Sequence, residues 1–212
     1  MHYSDHSNDV LLVGQNKALS DDTDDLLKLQ GVSWFKRRAI SMFTLTLVVK
    51  HYTDDAGVEH IDIAQTLSGG IPGTNEDRIL DWEERVESDD IFGDVVGQSK
   101  RVKLEEVEDE FLNSGWTEDT VQDGTVLAVA WSDPEKNKLT WRAELVRFSW
   151  FRTHIGLSLI HHQTWGFEIL NGERRHARHV KFTSSDKKDG PIFKRLYYDY
   201  SESPYCYRQW SI

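Results

Sequence analysis

Asn171-Gly172 stands between two runs that read as strands, Trp165 to Leu170 and Glu173 to Val180, and leaves the backbone little choice. Asn-Gly supplies the two left-handed positions of a type I′ turn, whose twist matches that of the strands it joins. The turn also sets register. Leu170 falls opposite Glu173, Ile169 opposite Arg174, Phe167 opposite His176 and Trp165 opposite Arg178. Successive strand side chains point to opposite faces, so these pairs share one face while Glu168, Arg175 and His179 take the other. If Trp165 and Phe167 point inward, as large aromatics usually do, they carry Arg174, His176 and Arg178 with them. Guanidinium groups on an inner face need carboxylates, carbonyls, aromatic faces or a polar ligand, and a pocket meets that need. The other reading is that Arg174 and Arg178 extend to a barrel mouth or pair with surface carboxylates.

The same period of two recurs along the chain. Phe43, Leu45, Leu47 and Val49 alternate with Thr44, Thr46 and Val48, and Ile61 and Ile63 with His60 and Asp62. Thr53 to Gly57 has the composition of the hairpin loop between them. Further strands are expected at 78–87, 92–102, 124–132, 138–145, 163–170, 173–183 and 192–200. A second hairpin turns at Ser88-Asp89-Asp90, which sets Trp82 against Gly97, either as packing or as the wall of a close-fitting cavity. Gln65 shares a face with Ile61, Ile63 and Leu67, so its amide is either satisfied by backbone or aimed at a ligand. Many consecutive strands with short links give an antiparallel meander, and closing it into an up-and-down barrel removes its edges. Before the strands, Leu26, Leu27, Leu29, Trp34, Phe35 and Ile40 predict one or two short helices interrupted at Gly31. Leu104, Val107, Phe111 and Leu112 predict a short helix or a lid within 104–118. The expected organisation is a flexible acidic arm over 1–24, one domain over 25–203 and a tail over 204–212.

Length agrees with one domain, since 212 residues are about 1.4 times the usual domain size. Eight Trp, nine Phe and seven Tyr are enough bulk to fill a core or line a cavity. A net charge of −11 repels phosphate backbones and anionic lipids, so neither nucleic acid nor membrane is expected as a partner. A lone cysteine, Cys206, rules out an internal disulfide, and the polar start lacks a secretory leader, which together predict a cytoplasmic protein. Neither a phosphate-cradling glycine loop nor a hydrolase or zincin motif is present, so no cofactor is expected. His176 and His179 alternate in face on a strand, as do His161 and His162, and no metal site is expected from them.

Several segments together resemble a known family. They are Leu27-x-Leu29-Gln30-Gly31-Val32-Ser33-Trp34-Phe35-Lys36-Arg37-Arg38-Ala39-Ile40, His60-Ile61-Asp62-Ile63-x-Gln65-Thr66, Leu80-Asp81-Trp82-Glu83, Ile91-Phe92-Gly93 through Ser99, Phe111-Leu112-Asn113-Ser114-Gly115-Trp116, Trp165-Gly166-Phe167-Glu168 and Tyr198-Asp199-Tyr200. Over about residues 26–200 the chain is similar to small fungal lipocalin-like (calycin) proteins of secondary metabolism. Some of these are pericyclases, including intermolecular hetero-Diels–Alderases that build tropolonic sesquiterpenes. The resemblance implies a mainly β, calycin-like barrel whose cavity holds a reactive polyene or quinone methide. One departure stands out. Roughly eighteen residues, Leu145 to His162, separate Trp141-Arg142-Ala143-Glu144 from Gln163-Thr164-Trp165, either as an extended hairpin or as the translation of a retained intron.

Two functions follow. One is a pericyclase joining a tropolone o-quinone methide to a humulene-type sesquiterpene, and the alternative is a non-catalytic carrier of a small hydrophobic metabolite. An interaction protein with no occupied cavity is a third reading. For the enzyme, Arg178, His176 and Tyr198 are the candidate catalytic donors, with Gln65, Trp82, Trp165, Phe167 and Arg174 binding the substrate. The partners expected are small hydrophobic or aromatic molecules, with the chain a monomer or homodimer. A catalytic His176 would leave an activity inflection between about pH 5 and 8.

Overall fold

A computed structural model describes residues 9–89, 93–117, 125–132, 159–184 and 190–200. Ten antiparallel strands form one sheet: β1 (Asp9–Gln15), β2 (Leu45–Thr53), β3 (Glu59–Leu67), β4 (Ile71–Ile79), β5 (Arg85–Asp89), β6 (Gly93–Lys103), β7 (Thr125–Ser132), β8 (Leu159–Leu170), β9 (Glu173–Ser184) and β10 (Ile192–Tyr200). Their spatial order is β4-β3-β2-β1-β10-β9-β8-β7-β6-β5. Two helices, α1 (Asp24–Leu29) and α2 (Trp34–Met42), link β1 to β2, and a third, α3 (Glu110–Asn113), lies between β6 and β7. No helix among the described residues is long and apolar enough to cross a membrane.

The β8–β9 hairpin has the register that Asn171-Gly172 dictates: Ile169 pairs with Arg174, Phe167 with His176 and Trp165 with Arg178. Both turn residues have positive φ, 54° and 81°. On β2 and β3, Leu47, Ile61 and Ile63 are buried on the inner face and join Val13, Trp165, Val180, Phe182 and Tyr198 in the principal core.

Four expectations are corrected. Residues 9–15 lie not in a free arm but in β1, hydrogen-bonded between β2 and β10 near the middle of the sheet, with Val13 fully buried. Leu12 and Val13 supply apolar side chains for this place, which the acidic residues nearby in the sequence obscure. A strand over 78–87 is in fact two, β4 and β5, split at Trp82, which takes a left-handed backbone (φ 64°). Ser88 and Asp89 belong to the β5–β6 ladder rather than a turn, and Gly97 faces Arg85, not Trp82. The barrel, lastly, is not closed by hydrogen bonds: the sheet curls into an open half-barrel whose edges are β4 and β5. The β5 strand has only five residues, and among the described residues no ladder joins it to β4.

The seam is sewn by other contacts. Arg101 on β6 grips Glu59 on β3 (Nε to Oε2 2.7 Å). Trp82 N, in the β4–β5 connection, donates to the Ser99 carbonyl oxygen of β6, while the bond from Leu80 N to the Glu59 carbonyl oxygen extends the β3–β4 ladder. Burial pushes the Glu59 carboxyl up, but His51 and Arg101 outweigh it and bring it to about 2.

Helix α3 is no lid on the cavity. It packs on the outer face of β8 and β9, where Leu112 joins Val102 and Val107 in a second core. His179 donates through Nδ1 to the Phe111 carbonyl oxygen (2.9 Å), meets Glu168 through Nε2 (3.1 Å) and stacks on Trp116 (4.0 Å). The strand expected at 138–145 lies outside the described residues, as do 145–158 and Cys206. Leu159 to His162 are the start of β8, where each pairs with β9, and His161 and His162 also pair with β7.

Candidate active site

The concave side of the sheet encloses a cavity of about 1100 Å³, bounded at one end by Leu26 and Leu27 of α1 and by Ile40 of α2. Leu45, Val180, Phe182 and Leu196 give it apolar walls, and a cluster of polar groups interrupts them. That cluster is built on adjacent strands. Glu76 and Arg78 are two apart on β4 and so share its inner face. Glu76 Oε2 accepts from Arg78 (Nε 3.1 Å, and a closer contact from Nη2), and Glu76 Oε1 accepts from Gln65 Nε2 of β3 (2.6 Å). Arg78 is 3% exposed. From β8 and β9, Trp165 offers its indole to two cations: the Arg178 guanidinium lies 4.0 Å from the ring centroid and that of Arg78 5.2 Å. Trp165 Nε1 donates to Gln163 Oε1 (2.8 Å), which locks the indole. Tyr198 on β10 completes the group, with Arg178 5.3 Å from its ring.

Electrostatics follow from this packing. Burial raises the Glu76 carboxyl, but the charges of Arg78 and Arg178 and the hydrogen bonds from Arg78 and Gln65 outweigh it, so Glu76 stays below its ordinary range. Glu87 on β5 faces Arg78, yet burial and the nearby Glu76 and Asp77 carboxylates hold it above that range. Burial pushes the Tyr198 hydroxyl up, so it remains a proton-bearing donor. Burial, His162 and the two arginines push His161 far down, and burial with Arg178 and Arg174 brings His176 to about 3. Both imidazoles are therefore neutral at pH 7.

Of the candidates named from the sequence, Gln65, Arg178 and Tyr198 line the cavity together. Trp165 lies behind Arg178 as its platform. His176 is buried against Tyr198 (5.3 Å) and Phe167 (5.7 Å) without lining the cavity, and its low value removes the inflection expected between pH 5 and 8. Phe167 and Arg174 stack on each other (3.5 Å) toward the hairpin tip, outside the cavity. Trp82 lies in the β4–β5 connection, with Lys100 over its ring (4.6 Å), and also lines no part of it. The Gln65 amide is neither backbone-satisfied nor free: its partner is the Glu76 carboxylate.

Sequence reasoning missed Glu76, Glu87, His161 and Gln163 as cavity groups, and Arg78 as the buried partner of Glu76 behind them. Pro72 and Gly73 disguise β4 as a loop. The signal that could have found it is the spacing Glu76-x-Arg78, opposite charges on one strand face. No cluster of metal-ligating side chains occurs among the described residues.

No family model matches the chain. The probable pericyclase scpY of Mollisia scopiformis is 25% identical over 168 residues, covering 78% of this chain and 76% of its own. The pericyclase pydY of an Acremonium species is 24% identical over 168 residues, 79% of each chain. The chain is similar to fungal pericyclases. Both likenesses extend well beyond a single motif.

Proposed function

We propose that this protein is a pericyclase of fungal secondary metabolism and that the cavity beneath Trp165 is its reaction chamber. The observation that supports this most is an apolar chamber of about 1100 Å³ carrying a few fixed donors, in a chain similar over three quarters of its length to proteins named pericyclases. A pericyclic reaction needs little covalent machinery. Holding the reacting π-systems in an attack geometry offsets about 7–11 kcal/mol of barrier in favourable cases. Donors aimed at a polarised oxygen lower it further, because they are already oriented in a water-poor site. Arg178 and Tyr198 are those donors, Gln65 and Glu76 fix the charged wall, and Leu45, Val180, Phe182 and Leu196 hold the hydrocarbon part.

In its more specific form, the reading takes the curled sheet as a calycin-type barrel in the cytoplasm and the reaction as a hetero-Diels–Alder addition. A tropolone o-quinone methide is the heterodiene and a humulene-type sesquiterpene the dienophile, with Arg178 on the ring oxygen. The test is to incubate the purified protein with tropolone alcohol and humulenol and follow the stereodefined dihydropyran against a protein-free control. Faster formation of one stereoisomer supports the reading. Binding without acceleration returns the carrier alternative.

A further inference from the structure

Arg178 is a charged group of the chamber with one edge left unpaired among the described residues. It is 7% exposed and lines the cavity, yet neither Nε nor Nη2 has a hydrogen-bond partner among the described residues. These two nitrogens form one edge of the guanidinium, with parallel N–H bonds that match the two oxygens of a planar anion. Arg78 shows the same edge in use, with its Nε and Nη2 both on Glu76. Glu76 cannot serve Arg178 in the same way, because its second oxygen is taken by Gln65.

The other neighbours offer no negative charge. The groups facing Arg178 are Glu76 and Arg78 from β4, Trp165 and His161 from β8, His176 from β9 and Tyr198 from β10. His161 and His176 are neutral, and Tyr198 keeps its proton. Glu87 feels the charge of Arg78 and forms no ion pair with Arg178 among the described residues. An indole face steadies a guanidinium without accepting its N–H bonds. A buried charged donor pair left unsatisfied is costly, and a site of this kind calls for an acceptor, which a ligand in the cavity can supply. Both nitrogens are themselves buried, so a ligand meets this edge only once the guanidinium turns toward the cavity that the residue lines.

We infer that the Nε–Nη2 edge of Arg178 is the recognition element for a planar conjugated oxyanion, so that the substrate is held as a carboxylate or an ionised enol rather than as a neutral carbonyl compound. This rests on the reading of the cavity as the reaction chamber and narrows its substrate class. The chamber of a protein with a net charge of −11 thus selects anions, against the sign of the molecule as a whole.

Paired probes test it on the full-length protein. Cinnamate against cinnamamide reports a carboxylate, and tropolone against its O-methyl ether reports an ionised enol, each followed by calorimetry and tryptophan fluorescence. The expected result is that the anion of at least one pair binds about ten- to a hundredfold more tightly than its neutral counterpart. That pair names the source of the charge. R178Q abolishes the preference, R178K keeps the charge without the fork and loses most of it, and R38Q, which removes an exposed cation from α2, preserves it. Equal affinity within both pairs, or a preference that survives in R178Q, overturns the inference. If R178Q does not fold, R178K decides. A preference for anions without rate acceleration refutes the pericyclase reading and leaves this site standing. Turnover with no anion preference does the reverse.

Discussion

Trp165 holds two guanidinium groups against one indole, and this single side chain explains why a chamber with a hydrophobic wall tolerates Arg78 and Arg178 at all. Each such contact stabilises by about 0.5–2 kcal/mol, too little alone to bury a cation, which is why Arg78 also takes Glu76. Trp165 sits in the principal core, so Trp165→Ala is expected to cost about 3–5 kcal/mol in urea unfolding as well as turnover. Arg178→Ala is expected to lower the rate of ring formation about a hundredfold in steady-state assays, with a smaller effect on unfolding. His176 gives a pH prediction. Its folded value, about 3, lies below the ordinary 6.5. The associated stability is therefore fully present above pH 6.5 and is lost as the pH falls toward and through 3, because only the unfolded chain takes up the proton. Urea midpoints are expected to fall between pH 7 and 4 with a shallower slope in His176→Gln, while activity shows no inflection from this residue between pH 5 and 8.

Among the elements, hairpins with strong turn chemistry were legible and irregular edges were not. Asn171-Gly172 specifies every pair of the β8–β9 ladder, since a type I′ turn admits one register. That Arg178 shares a face with Trp165 followed from the turn alone, while the inward direction of that face rested on the bulk of the aromatics. The β4 strand was illegible because Pro72 and Gly73 break its pattern, and Gly73 is there for a reason: an added Cβ would come within 2.9 Å of the Gln65 Cβ. With β4 unread, the partner of Gln65 and the whole Glu76–Arg78 pair were out of reach. The segment carrying α3 shows a second close approach. Gly115 has φ +89°, and a Cβ there would lie 2.1 Å from Glu168 Oε1, a carboxylate held by His179. Gly115→Ala is expected to destabilise by roughly 2 kcal/mol or more, read as a lower melting temperature, with the cavity unaffected because this contact lies on the opposite face of the sheet.

On the scale of the molecule, a continuous β-wall was readable from the alternation, but its closure was not. Whether the last two strands pair depends on the length of β5 and on the backbone at Trp82, which no periodicity reports. The outcome is a half-barrel whose seam is held by Arg101–Glu59 and by the main chain at Trp82. It leaves a chamber large enough for two reactants beside a wall that fixes charge. The central claim is that ring formation occurs in this chamber, and a crystal structure of the protein with its cycloadduct tests it most directly. The account predicts adduct density inside the cavity, with an oxygen within hydrogen-bonding distance of Arg178 and hydrocarbon against Phe182 and Leu196. An adduct bound elsewhere on the protein, over a chamber filled by its own side chains, would contradict it.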